Sequence, residues 1–278
     1  MDNTRGTRTL QRTDSTLIAG SGPERRLEQR LRCAGMDRLG LVPFLMAGHL
    51  DPASTLEMAQ RLGDLGVAAL ELGIPSPDPH MDGPVIAEAA RQALARGATV
   101  ASSLELASRI VAATDVPVVL MTYAGPLLAY GPRRFALDAA AAGVAGVIVP
   151  DLAKAHRDSV ATCLDTAGVD PVGVVAFASS AAEVAQACRT SRGFVYCALA
   201  ARTGVRATPT PPTPAILRRA RCHTSLPLVA GFGISRPEHL VGLHRHADAA
   251  VVGSAVVARM AAGEDVVSFV KTLLTACR

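Results

Sequence analysis

Eight times along this chain a short apolar run is followed by a longer amphipathic segment, with no break in composition between units. The runs fall at residues 41–46, 67–73, 116–121, 144–149, 172–177, 194–198, 226–230 and 249–252. Runs this short and this continuously apolar suit strands buried on both faces of a parallel sheet. The segments between them carry helical spacing, as Leu56, Ala59 and Leu62 do within 52–65. Further helices are predicted at 84–96, opened by Pro84, and at 104–113, 133–142, 154–167, 181–189, 213–221, 236–243 and 254–277, the last broken near Gly263. Eight parallel strands alternating with helices close into a (β/α)8 TIM barrel, with an open doubly wound α/β sheet as the runner-up. An extra helix at 25–32, with Leu27 and Leu31 at i and i+4, precedes the first strand. A chain of 278 residues suits one such domain at 25–278, and the polar stretch 1–24 reads as a disordered extension.

Bulk properties exclude several function classes. A formal charge of +4, with no basic stripe interleaved with aromatics, argues against nucleic acid. No apolar run is long enough to span a membrane. Six scattered cysteines without a C-x-x-C pair read as reduced, buried thiols of a cytoplasmic protein. Seven histidines show no H-E-x-x-H, and His244 and His246 lack carboxylate or cysteine company, so neither a metal site nor a cofactor is expected.

The run Val67-Ala68-Ala69-Leu70-Glu71-Leu72-Gly73-Ile74-Pro75 buries one carboxylate near a strand end. A loop too rich in proline for helix or strand follows and carries Asp78 and Asp82. Two readings fit. Glu71 makes a structural ion pair while the aspartates serve the turn, or two of these acids transfer protons.

The remaining strand ends have chemical sense as one set. Phe44, Glu71, Tyr123, Asp151, Phe177, Tyr196, Gly231 and Gly253 are predicted to ring the C-terminal mouth of the barrel, where such folds carry their chemistry. A mouth lined by aromatic rings, with Phe44 and Phe232 as substrate contacts, suits a flat apolar substrate. Gly231-Phe232-Gly233-Ile234-Ser235 and Gly253-Ser254 follow the last two strands. There Gly233, Gly253 and Ser254 at a helix N-terminus are candidates to seat a phosphate on backbone N–H groups.

Leu70-Glu71-Leu72-Gly73-Ile74-Pro75, Asp78-Pro79 and Asp82-Gly83-Pro84 resemble the signature of the tryptophan synthase alpha-subunit family. The similarity extends to Val42-Pro43-Phe44, Met121-Thr122-Tyr123, Gly146 to Leu152, Phe194-Val195-Tyr196 and the two glycine segments, from about Leu41 onward. The resemblance implies a lyase of tryptophan biosynthesis that cleaves indole-3-glycerol phosphate to indole and glyceraldehyde 3-phosphate. It implies Glu71 and Asp82 as the catalytic acids, Glu71 as general acid and base and Asp82 at the indole N–H. It further implies Thr203 touching Asp82, Gly204 at the phosphate, and a PLP-containing tryptophan synthase beta subunit as partner. Tyr123 and Tyr196 either orient Glu71 or pack the core with satisfied hydroxyls.

Departures from the family's pattern are local. The Thr203-Gly204 match needs one residue fewer after Tyr196, and an alternative alignment puts Arg206-Ala207 there. Met46 and His49 stand where a Thr and an Asp are usual, Ser76-Pro77 for Phe-Ser, Ala87 for Gln and Gly125 for Asn. The acids are kept while partner-facing positions differ, which points to a divergent, free-standing indole-releasing paralogue. A reading from another class is a non-catalytic barrel subunit that binds a phosphorylated ligand or a partner.

Overall fold

The computed structural model of the chain describes residues 23–199, 213–231 and 233–277. Its eight strands are β1 Gly40–Met46, β2 Leu70–Gly73, β3 Val118–Met121, β4 Gly146–Ile148, β5 Asp170–Ala176, β6 Val195–Ala198, β7 Leu228–Gly231 and β8 Ala249–Val252. They pair in parallel and in sequence order, and β8 returns to β1 to close the barrel. The runner-up open sheet is thereby set aside.

Alternation along each strand divides the apolar residues into two cores. Leu41, Leu45, Leu70, Leu72, Val118 and Leu120 point outward into the layer under the helices. Val42, Phe44, Met46, Ala69 and Val119 fill the barrel interior. Phe44 stands beside Glu71, and Glu71 beside Val119. The same two-residue period therefore turns the Glu71 carboxylate inward, toward the axis.

The helices are α1 Pro23–Asp37, α2 Pro52–Asp64, α3 Pro84–Ala95, α4 Val100–Ala113, α5 Ala124–Tyr130, α6 Pro132–Ala141, α7 Lys154–Ala167, α8 Ala181–Thr190, α9 Thr213–Arg221, α10 Ser254–Ala262 and α11 Val266–Ala276. α1 is longer than the predicted 25–32, and residues 1–22 of the expected extension lie outside the described residues. Leu27 and Leu31 of α1 are fully buried and belong to the interior core rather than the outer one. Leu27 reaches beneath β4 and β6, against Gly146 and Gly193, so α1 fills the N-terminal end of the barrel.

Three expectations need correction. α4 starts four residues early because Thr99 and Ser102 form a reciprocal cap. α5 was hidden by its Gly125-Pro126 pair. Proline costs little in a first turn, and the Asp151 carboxylate accepts the Ala124 N–H at 2.8 Å. In place of a helix at 236–243 there are two 3-10 turns, Pro237–His239 and Leu243–Arg245, parted by Gly242 at φ +86°. The thiols also differ from expectation: all six are free, but Cys33 and Cys222 are exposed and only Cys188, Cys197 and Cys277 are buried. Among the described residues no helix is long and apolar enough to cross a membrane, and no group of three or more His, Cys, Asp or Glu could hold a metal ion.

Candidate active site

The C-terminal mouth opens into a cavity of about 290 Å³. Phe44, Glu71, Asp82, Tyr196, Gly233, Gly253 and Ser254, predicted from the sequence as separate pieces, all line it. Between them lie apolar side chains from inward strand positions and the start of α3, among them Met121, Ile148, Val174 and Ile86. One wall is thus acidic, the middle is apolar, and the far wall is glycine and helix terminus.

Glu71 can ionise only at a cost. It is 4 % exposed, and its Oε2 has no hydrogen-bond partner among the described residues. Burial, with the Asp82 charge added, pushes its carboxyl up to about 8. Such a group keeps its proton at neutral pH and can still release it.

Asp82 reaches the cavity through the shape of its loop. The Asp82 N–H donates to Pro79 O at 2.9 Å, and the Asp78 N–H to Ser76 Oγ at 3.2 Å. These turns bury Asp82 to 9 % exposure and leave Asp78 in solvent. Of the two loop carboxylates, Asp82 alone joins Glu71.

The two tyrosines play different parts. Tyr196 lies beside both acids; burial first, then the Glu71 and Asp82 charges, hold its phenol protonated. Its ring covers Gly231, where a side chain would collide with it. Tyr123 does not line the cavity. It stands behind Asp82, whose charge, after burial, raises its phenol, and the His80 ring rests against it at 5.3 Å between centroids. Phe44 likewise needs a bare neighbour, since a Cβ on Gly73 would stand 2.4 Å from its Cζ.

At the opposite wall, Gly233 has φ +79°, a conformation that disfavours any side chain. The Ser235 N–H donates to His239 Nδ1 at 3.2 Å, which ties this turn down. Among the described residues no side chain caps α10, so the amides at Gly253, Ser254 and Ala255 border the cavity as uncapped donors. Arg259, missed in the sequence, borders it too. It follows Ala255 by one helical turn, which a reading of that helix face would have found. Its guanidinium lies 3.7 Å over Phe269 and pairs with Glu264 at 3.7 Å.

Phe177 and Asp151 fall outside the ring of cavity residues. Phe177 is 50 % exposed because Val172 and Val174 set the inward parity of β5 and position 177 opposes it. Asp151 is committed to capping α5. Thr203, Gly204 and Phe232, and with them the choice between Thr203-Gly204 and Arg206-Ala207, lie outside the described residues. Several departures noted in the sequence are internal, since Met46, His49 and Ser76 are buried, while Gly125 is exposed.

Comparison with known proteins bears on this arrangement. The family model described as tryptophan synthase alpha chain matches residues 32–278. The tryptophan synthase alpha chain of Solibacter usitatus is 40 % identical over 224 residues, covering 80 % of this chain and 83 % of that one. That of Prochlorococcus marinus is 40 % identical over 236 residues, 84 % of this chain and 85 % of its own. Among solved structures, Mycobacterium tuberculosis tryptophan synthase in its aminoacrylate-bound form superposes with a TM-score of 0.81 at 30 % identity, covering 91 % of this chain and 99 % of that chain. A mutant tryptophan synthase alpha-subunit from Pyrococcus furiosus gives 0.79 at 32 % identity, covering 85 % and 98 %.

Proposed function

The chain belongs to the tryptophan synthase alpha chain family, and from that premise we infer that it is a lyase cleaving indole-3-glycerol phosphate to indole and glyceraldehyde 3-phosphate. The observation that carries the reading is the buried Glu71 carboxyl, held near pH 8 beside Asp82 at the apolar cavity.

In this reading the indole ring occupies the apolar middle of the cavity, against Phe44, with the phosphate at the uncapped start of α10 and the Gly233 turn. Protonated Glu71 gives its proton to indole C3, which turns the ring into a leaving group. Asp82 balances the positive charge that develops at the indole N–H. As the bond from C3 to the glycerol carbon breaks, its electron pair returns to the ring. The Glu71 carboxylate then takes the proton of the hydroxyl on that carbon, which becomes the aldehyde. Glu71 ends the cycle protonated, as it began. Tyr196, beside both acids, fixes their separation, and Thr203 and Gly204 are assigned to Asp82 and the phosphate. A group that must both donate and accept works best with a pKa near the working pH, which burial supplies.

The family typically pairs with a beta subunit. We assign this chain weaker dependence on one, because Pro75, Pro77 and Pro79 restrict the loop that carries Asp82. Action in the cytoplasm is part of the proposal, supported by six free thiols. No observation favours the non-catalytic reading, since an unpaired buried acid is a cost that a mere binding subunit has no need to bear. The test is indole release from indole-3-glycerol phosphate by the purified chain and by Glu71→Gln. Turnover that persists in the variant would remove Glu71 from the mechanism.

A further inference from the structure

The loop between β2 and α3 has one aromatic hold on the barrel. His80, half-exposed at its tip, sets its imidazole against the Tyr123 ring, 5.3 Å between centroids and tilted by 57°. Tyr123 is a fixed post: it is buried at the end of β3, and the next amide is held by Asp151. Asp82 acts on the same tyrosine from the cavity side. One ring therefore meets both the tip of the loop and its carboxylate. Among the described residues His80 otherwise meets the Asp78 carboxylate at 3.8 Å, a solvent-exposed pair that adds little.

We propose that His80 is a positioning residue, whose ring contact with Tyr123 keeps the acidic loop docked and Asp82 in the cavity without help from a partner chain. His80 itself does not line the cavity, so it acts through Asp82 and not on substrate. The proposal rests on the reading of Asp82 as the group that meets the indole N–H. Proline at 75, 77, 79 and 84 leaves the loop few conformations, so one added contact at its tip can shift its position. Substrate held by its phosphate and its ring still binds when the loop lifts; what is lost is charge balance in the transition state. The effect therefore falls on kcat and spares KM.

The test uses the full chain and the variants His80→Ala, His80→Gln and His80→Phe. An aromatic pair is worth roughly a two- to tenfold change in an equilibrium. Ala and Gln are expected to lower kcat by about that factor with KM nearly constant, and Phe to restore it. Hydrogen exchange at the Asp82 amide, which bonds to Pro79 O, should quicken by the same factor in Ala and Gln and return to the parent rate in Phe. Unchanged kcat and exchange in Ala, or a Phe variant no better than Ala, overturns the proposal. Asp82→Asn separates the two claims. If it keeps full kcat, the role of Asp82 itself falls; if it loses kcat while His80→Ala does not, only the role of His80 falls.

Discussion

Tyr196 lies so close across Gly231 that a Cβ at 231 would stand 2.0 Å from the phenol oxygen and 2.3 Å from Cζ. The two positions sit on adjacent strands, and 231 cannot gain a side chain while the ring stays in place. Gly231→Ala must push the ring off its seat beside Glu71 and Asp82. We expect a destabilisation of about 1–3 kcal/mol, the usual cost of overpacking. Indole release should fall with it, as read by thermal melting and steady-state rates. An alanine variant with parental rate and melting temperature would show that the ring has room to move.

Glu71→Gln keeps the shape of the side chain and removes its proton transfer. Turnover should drop by roughly two to four orders of magnitude, the worth of a positioned acid–base group. In the parent, kcat should decline as pH rises through about 8, where Glu71 loses the proton it must give to C3. A rate that stays level to pH 9.5 or so counts against that assignment.

The same residue ties stability to pH. Its folded pKa, about 8, lies above the ordinary value of 4.5, so between these the native chain holds a proton that the unfolded chain has released. Stability from this group is intact below pH 4.5 and drains away as pH climbs toward 8. Glu71→Gln should therefore match the parent in acid and outlast it at pH 8, by up to a few kcal/mol in denaturant titrations. A gap that is constant with pH would mean the carboxyl titrates normally.

Among the described residues a Cβ on Gly253 would meet only Phe44, at an ordinary 3.6 Å, so a side chain there fits them while entering the cavity. Gly253→Val is expected to melt like the parent yet raise KM and weaken inhibition by glycerol 3-phosphate. If both constants hold steady, the phosphate sits elsewhere.

Weak dependence on a beta subunit is tested by measuring indole release from the chain alone and then titrating in a beta subunit from the same cell. Little stimulation is expected. An increase of tens of fold, on the order of 2 kcal/mol or more in the barrier, would mark an ordinary partner-gated subunit.

Most of the architecture was legible because the code is simple. The apolar run 67–73, broken by one carboxylate, reads as a buried strand, and the period of β2 turns Glu71 inward. Gly125-Pro126 concealed α5 because the capping carboxylate, Asp151, comes from another unit of the barrel. Phe177 misled because strand parity depends on where β5 starts, and an aromatic just past a strand end carries no mark of its side. Bringing Asp82 rather than Asp78 to Glu71 took the family resemblance. Spacing alone does not say which way a proline-rich loop folds back. Arg259 escaped notice because a helix face acquires meaning only once its neighbour is known to be a cavity.

Leu27 and Leu31 of α1 stopper the barrel from below. With that end filled among the described residues, the depth of Glu71 opens toward the C-terminal mouth. Whatever is freed at that depth leaves on the side where Asp82 and the start of α3 line the cavity. In the proposed reaction the loop that readies Asp82 therefore also borders the way out, and how it moves bears on release as well as on chemistry.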